Sequence, residues 1–494
     1  MSQIIGMSAT LIILIILAYF GFLMGIAWVT SRNANADSYF LGNKASPWIA
    51  VAFGMLGDSL SGVTFISVPG AVGGGKFAYL QLVLGYLVGY FIIAQVLLPL
   101  YYRLNLTSIY TYLEQRYGKN AQKTGAFFFI LSRTLGAAGR LYLAASVIQL
   151  FVFNQMGVPF WVSVTIIILL ILAYTYKGGI KTLVWTDTFQ SSILLLAVVA
   201  SVVVIAGKMD LGFGAMISKI AESDYSQVFF WDWAPRSYFW KQFIGGAFIA
   251  VVMTGLDQNM MQKNLSCKSL GDAKKNILSF SLVMAIVNLF FLSLGALLWM
   301  YADQIGLELP LNAAGKPNTD YLFPTLALNN LGTWAGLLFI LGLTAATFSS
   351  ADSVLTTLTT SCYVDFLGYD KKVVDERKKT NARHLIHAGF AVILLMVILL
   401  FQALNSKAII DTVLTLAGYT YGPLLGLFAF GILTKRKAED KWVPLICVLA
   451  PLLCYLIDMN SINWFGGYQF GYELLILNGL LTFSMLAINR KKLT

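Results

Sequence analysis

Read as a string of apolar and polar positions, the chain alternates long apolar runs with short charged connectors. A bilayer core about 30 Å thick takes roughly 20 residues of helix at 1.5 Å rise. That ruler places thirteen apolar spans near residues 7–30, 46–73, 77–102, 124–153, 158–176, 185–207, 242–262, 276–301, 333–361, 384–404, 408–433, 442–458 and 469–488. The runs are continuous and do not alternate every second residue, so a β-barrel built from strands of about ten residues is excluded. The pattern predicts an all-α polytopic membrane protein with 13 transmembrane helices. The first run, MSATLIILIILAYFGFLMGIAWVT, is longer than a signal-peptide core and is followed by no small-residue cleavage site. It is expected to stay as a span.

Three spans break the apolar pattern. The middle of span 2, GMLGDSLSG, carries three glycines, two serines and Asp58 at mid-membrane depth. Span 7 is interrupted by Gly255, Asp257, Gln258 and Asn259. Backbone freed in this way is tolerated in a membrane only where it lines a cavity or binds something, so both spans are predicted to be discontinuous helices. Two broken spans five apart point to an inverted repeat, with spans 2–6 and 7–11 as its halves. Span 9 places Ser349, Asp352, Ser353 and Thr356 at i, i+3, i+4, i+7 on one face. Small-residue helix packing accounts for hydroxyls in such a place, but it does not account for Asp352.

Composition supports the membrane reading: 58% of residues are hydrophobic and 12% charged, with mean hydropathy +0.74. That is too few charges to coat two or three soluble domains. The net charge of +11 is a matter of topology. With the N-terminus outside and the C-terminus cytoplasmic, cytoplasmic connectors hold 25 Lys and Arg, external ones hold 7, and Arg133 and Arg140 stay within span 4. The positive-inside rule therefore supports that orientation, and a nucleic-acid partner is not indicated. The stretch FFWDWAPRSYFW in the external loop reads as an interfacial belt or as a cap over a cavity. Cys267, Cys362, Cys447 and Cys454 have no metal-ligand spacing, and His384 and His387 are too few for zinc and read as interfacial side chains.

Carboxylates turn this pattern into chemistry. Asp58, Asp187, Asp257 and Asp352 all lie in or at the edge of spans. Each costs about 2.5–3.5 kcal/mol at the bilayer centre if unpaired. Arg133 and Arg140 neutralise two at most, and a bound cation is the simplest answer for the rest.

At these residues the sequence resembles the solute:sodium symporter family from about residue 8 to 435. The matching stretches are DSYFLGN, DSLSGVTFISVPG, LTSIYTYLEQRYG, YKGGIKTLVWTDTFQ, DQNMMQKNLSCKSLGDAKKN, AATFSSADS and YGPLLGLFAFGIL, in that order. The resemblance implies a LeuT-like fold with a 5+5 inverted repeat and sodium as the coupling ion, one or two per cycle. The expected segments are a peripheral first helix and linker (1–45), a first repeat (46–207), an external loop (208–240), a second repeat (241–433) and two peripheral helices (434–494). The principal sodium site falls on Gly57, Leu60, Ala346, Ser349 and Ser350. A second cation site falls on Asp187, Ser349, Asp352 and Ser353, with Asp352 standing where the family has a hydroxyl. Candidate solute contacts are Ser59, Ser61, Thr64, Tyr79, Gln81, Arg140, Asp257, Gln258 and Tyr419. The family's sialic-acid members use a span-3 glutamine, where this chain has Val83, and a span-4 arginine, whose position Arg133 and Arg140 flank, so sialic acid itself is not the expected solute.

The expected function is sodium-coupled import of a small polar solute by alternating access, with an intramembrane arginine favouring a carboxylate such as an amino acid or sugar acid, against the competing reading of an arginine paired with Asp58 or Asp257 for structure. A neutral sugar or polyol, or proton coupling through Asp352 and Asp187, is the alternative. A sensor on this fold would append a cytoplasmic domain, and the chain ends at AINRKKLT. No HExxH or GxSxG motif suggests an enzyme. The expected setting is a plasma membrane (a bacterial inner membrane), with a monomer sufficient for transport.

Overall fold

The computed structural model describes residues 9–489 apart from 33–35, 152, 312–314, 316, 370–371, 373–374 and 405–408. The opening residues of spans 1 and 11, Val152 in span 4, and Lys316, Lys371, Lys407 and Arg490–Lys492 of the charge count lie outside the described residues.

Every described element of length is helical. Seven helices are long and apolar enough to cross a membrane, and two bent pairs bring the number to nine among the described residues. Three shorter apolar helices, Phe160–Tyr176, Ala417–Leu433 and Leu474–Ile488, fall on spans 5, 11 and 13. Helix Lys119–Phe151 falls on span 4 and carries both intramembrane arginines. Spans 5 and 6 are separated at Gly179, whose φ of 53° is a left-handed conformation; a Cβ there would run into the Tyr39 backbone.

Both predicted breaks are present. Trp48–Ser59 and Gly62–Gly75 meet at 60°, and Phe239–Gly255 and Gln258–Leu265 meet at 64°. The second break is closed by its own chemistry. Asp257 caps the distal half by accepting from Met260 N at 3.1 Å, while Tyr101 and Tyr110 donate to the freed carbonyls of Gly255 (2.8 Å) and Leu256 (3.1 Å). Among the described residues the span-2 break receives nothing comparable. Arg140 reaches the Asp58 carbonyl only at 3.5 Å, and Thr64 reaches that of Ser59 at 3.4 Å.

Span 9, Thr333–Ser361, is the centre of the molecule: every residue from Gly342 to Ser361 is buried, polar ones included. It packs along Phe160–Lys208 and against the first broken helix. Helix Ala9–Ser31 and helix Val443–Met459 instead leave large apolar side chains uncovered, among them Phe22, Trp28, Leu452 and Leu456, as lipid-facing helices do. Spans 3 and 7 approach through small residues: a Cβ on Gly246 would strike the Leu82 carbonyl, and one on Gly89 that of Ala247.

One boundary differs in a way that matters. The apolar pattern ends span 7 at residue 262, but its distal helix runs to Leu265, and Lys263 within it is fully buried. Lys263 therefore leaves the cytoplasmic charge count and enters the core. His387 also departs from expectation: it is buried and bonded to Thr175 and Thr359 at 2.9 Å each, so it is not an interfacial side chain.

Candidate functional site

The first broken helix meets span 9 at Gly57. A Cβ on Gly57 would collide with the Ser349 hydroxyl and lie 2.7 Å from that of Ser191, so only glycine lets the backbones come this close. The five positions implied for sodium lie on these two elements. Gly57 and Leu60 belong to the break, where the helix ends at Ser59 and Leu60 has already left helical geometry (φ −89°, ψ 70°). Ala346, Ser349 and Ser350 are buried on span 9. The serine hydrogens are committed: Ser349 donates to Asp187 Oδ1 at 3.0 Å, and Ser350 donates back to the Ala346 and Thr347 carbonyls at 3.2 Å. A hydroxyl whose proton is turned away keeps its lone pairs for a cation.

Of the four residues implied for a second cation site, the structure brings three together. Ser349 and Ser353 both donate to Asp187, at 3.0 and 3.2 Å. Asp352 takes a different partner, accepting the Tyr174 hydroxyl at 2.7 Å. At about 100° per residue, positions i and i+4 lie about 40° apart, whereas i+3 falls on the other side by about 60°. The i, i+3, i+4 pattern is thus too coarse to put Asp352 in the Asp187 cluster.

A cavity of about 100 Å³ lies beside both breaks, lined by Asp58, Ser59, Ser61, Thr64, Tyr79, Tyr86, Tyr90, Arg140, Met253 and Asn288 among others. Five of the nine candidate solute residues line it: Ser59, Ser61, Thr64, Tyr79 and Arg140. Four do not. Gln81 donates to Ser237 O at 2.9 Å and accepts from Phe230 N at 3.2 Å, pinning the long loop. Gln258 is tied to Ile109 N and Thr107 O, both at 2.9 Å. Asp257 is saturated by Arg133 Nε and the Tyr421 hydroxyl, each at 2.6 Å, besides its capping bond. Tyr419 donates to Asp458 at 2.7 Å and points away; Tyr421, two residues on and so on the opposite face, is the inward one.

Both arginines line the cavity, and their situations differ. Arg133 is paired with Asp257. Arg140 reaches only the Asp58 carbonyl, at 3.5 Å, and among the described residues has no carboxylate in ion-pair reach. A second cavity of about 250 Å³ shares the Ile249 and Met253 walls with the first and is lined by Arg236 and Ser237 of the aromatic loop. That loop therefore does more than anchor the molecule at an interface.

The residue that sequence reasoning missed is Lys263. Its Nζ lies 2.6 Å from Asp58 Oδ2 and 2.5 Å from Asp187 Oδ2. A signal exists in the stretch DQNMMQKNL, which continues the helix through the lysine to Leu265. A boundary drawn one residue early puts that lysine in a loop.

Comparison with known proteins identifies the family and the fold. The sodium:solute symporter family model matches residues 39–440. A sodium/sialic acid symporter of Aliivibrio fischeri, NanT, is 27% identical over 97% of this chain and 94% of its own length. Human sodium-coupled monocarboxylate transporter 1 is 28% identical over 82% of this chain and 66% of its own. In three dimensions, a substrate-bound, outward-open Na+-coupled sialic acid symporter superposes with a TM-score of 0.82 at 22% identity, covering 98% of this chain and 99% of that one, so the two share a LeuT-like fold. The chain belongs to the sodium:solute symporter family: it is a multi-pass membrane transporter, not an enzyme, with sodium as its coupling ion and a small solute as its cargo.

Proposed function

We propose that this protein imports a small carboxylate-bearing organic solute with sodium by alternating access. The observation that carries the reading is Arg140. A guanidinium that lines the central cavity without a carboxylate partner is poised for a planar anionic group, which it reads bidentately. Arg133 is already neutralised by Asp257 and is assigned to structure. Relatives named for sialic acid and for monocarboxylates, both carboxylates, favour the same class over a neutral sugar or polyol. Ser59, Ser61, Thr64 and Tyr79 supply hydroxyls for the rest of the solute.

Sodium is assigned to the carbonyls of Gly57, Leu60 and Ala346 with the hydroxyls of Ser349 and Ser350. An ion held jointly by the first broken helix and span 9 stabilises whichever state brings them together, which is how its gradient biases the cycle. Each sodium moved inward carries about 2.3 kcal/mol per 100 mV of potential. In this reading thirteen spans cross the membrane, 46–207 and 241–433 form the two repeats, and the N-terminus is external in a plasma membrane. The 208–240 loop then lies outside, and the solute passes Met253 on its way from the outer cavity.

A thermal-shift screen of monocarboxylates, amino acids, sugar acids, sugars and polyols, each with sodium or potassium chloride, tests this. A carboxylate that stabilises only with sodium, and no longer in Arg140→Gln, is the expected result. A neutral sugar or polyol that stabilises equally in wild type and Arg140→Gln would overturn it.

A further inference from the structure

A cage of hard oxygen donors lies behind the sodium position and is already filled by the chain itself. Asp58 Oδ2 and Asp187 Oδ2 converge on Lys263 Nζ at 2.6 and 2.5 Å, and all three side chains are sealed from solvent, at most 1% exposed. Asn259 braces Asp58 Oδ2 at 3.2 Å, and Ser349 and Ser353 brace Asp187. Two carboxylates with hydroxyls beside them are the donor set of a small cation. Two buried carboxylates around one point do not both stay ionised without a positive charge between them. An ammonium on a flexible four-carbon stem is a compact point charge able to take that position.

We propose that Lys263 is a tethered cation filling the cage of Asp58, Asp187, Ser349 and Ser353, so that the protein binds a single sodium. The second positive charge is covalently attached and never leaves. It also joins three elements, since Asp58 sits at the first break, Asp187 on span 6 and Lys263 on the distal half of span 7. Lys263 already holds the two carboxylates, so a free sodium entering the cage beside it would meet like-charge repulsion. The inference rests on reading Gly57, Leu60, Ala346, Ser349 and Ser350 as the sodium site.

The test is radioactive sodium binding to purified protein at saturation. Wild type is expected to hold one sodium per chain, Lys263→Arg one, and Lys263→Met two, because the vacated cage then takes an ion. Two sodiums in wild type, or one in Lys263→Met, would overturn the proposal. Should Lys263→Met not fold, Asp58→Asn with Lys263→Met removes one charge of each sign and leaves Asp187 with Ser349 and Ser353. Two sodiums there support the proposal and one overturns it. Wild type that binds none refutes the sodium-site assignment itself, an outcome distinct from a failure of Lys263 alone.

Discussion

Gly57→Ala is the sharpest perturbation the geometry offers. The added methyl would overlap the Ser349 hydroxyl and come within 2.7 Å of Ser191 Oγ, when real Cβ contacts essentially never fall below 3.0 Å. Neither hydroxyl is free to step aside. Ser191 donates to the Phe53 carbonyl at 2.7 Å and Ser349 to Asp187 at 3.0 Å. Overpacking a tight contact costs about 1–3 kcal/mol. Losing one of these hydrogen bonds adds about 1 kcal/mol. If the strain is relieved by moving the first broken helix off span 9, the sodium oxygens separate by the same motion. The expected loss is then about 2–4 kcal/mol of sodium binding, or roughly 30- to 1000-fold in affinity. A sodium titration followed by thermal shift reads this directly. Gly136→Ala, where a Cβ meets nothing within 4 Å, is the control and should bind sodium as wild type does. Sodium affinity within about threefold of wild type in Gly57→Ala would refute the contact as the place where the ion is held.

Other substitutions separate the remaining roles. Arg133→Met strands Asp257 in a buried site and should lower stability by about 3–5 kcal/mol, seen as a depressed melting midpoint in detergent; an unchanged midpoint contradicts the pairing. Arg140→Gln should weaken the carboxylate solute by about 2–5 kcal/mol while sodium binding without solute stays intact, as paired binding curves would record. Ser349→Ala and Ser350→Ala should each raise the sodium needed for half-maximal uptake more than they change solute affinity at saturating sodium. Unchanged sodium activation in both would remove those hydroxyls from the site.

Much of this architecture is legible in the sequence because membrane physics leaves few options. Apolar length marks the helices, and Thr333–Ser361 begins and ends where the pattern puts it. Both breaks are visible because glycine and aspartate in mid-span are costly in lipid unless the freed backbone lines a cavity or binds a ligand. What the pattern hides is the direction of individual side chains. Gln81, Gln258 and Tyr419 are polar residues near the cavity in sequence, yet each spends its polarity on holding a loop or a neighbouring helix. Tyr421 and Tyr419 differ by two positions and face opposite ways, a distinction that span boundaries good to a few residues cannot make. Lys263 shows the limit most clearly. Charge statistics favour placing a lysine outside the membrane, and only its two carboxylate partners, one from span 2 and one from span 6, hold it inside. Those partners are 205 and 76 residues away in sequence, so no local pattern announces the match.

Uptake into proteoliposomes tests sodium-driven carboxylate import most directly. Labelled lactate, glutamate and a sialic acid, with glucose and inositol as neutral comparators, are offered under an inward sodium gradient and again with sodium and potential equalised. One of the carboxylates is expected to accumulate above its external concentration, and that accumulation to collapse when the sodium gradient and the potential are removed. Uphill uptake that survives without both, or accumulation of a neutral comparator in place of any carboxylate, would contradict sodium-driven carboxylate import.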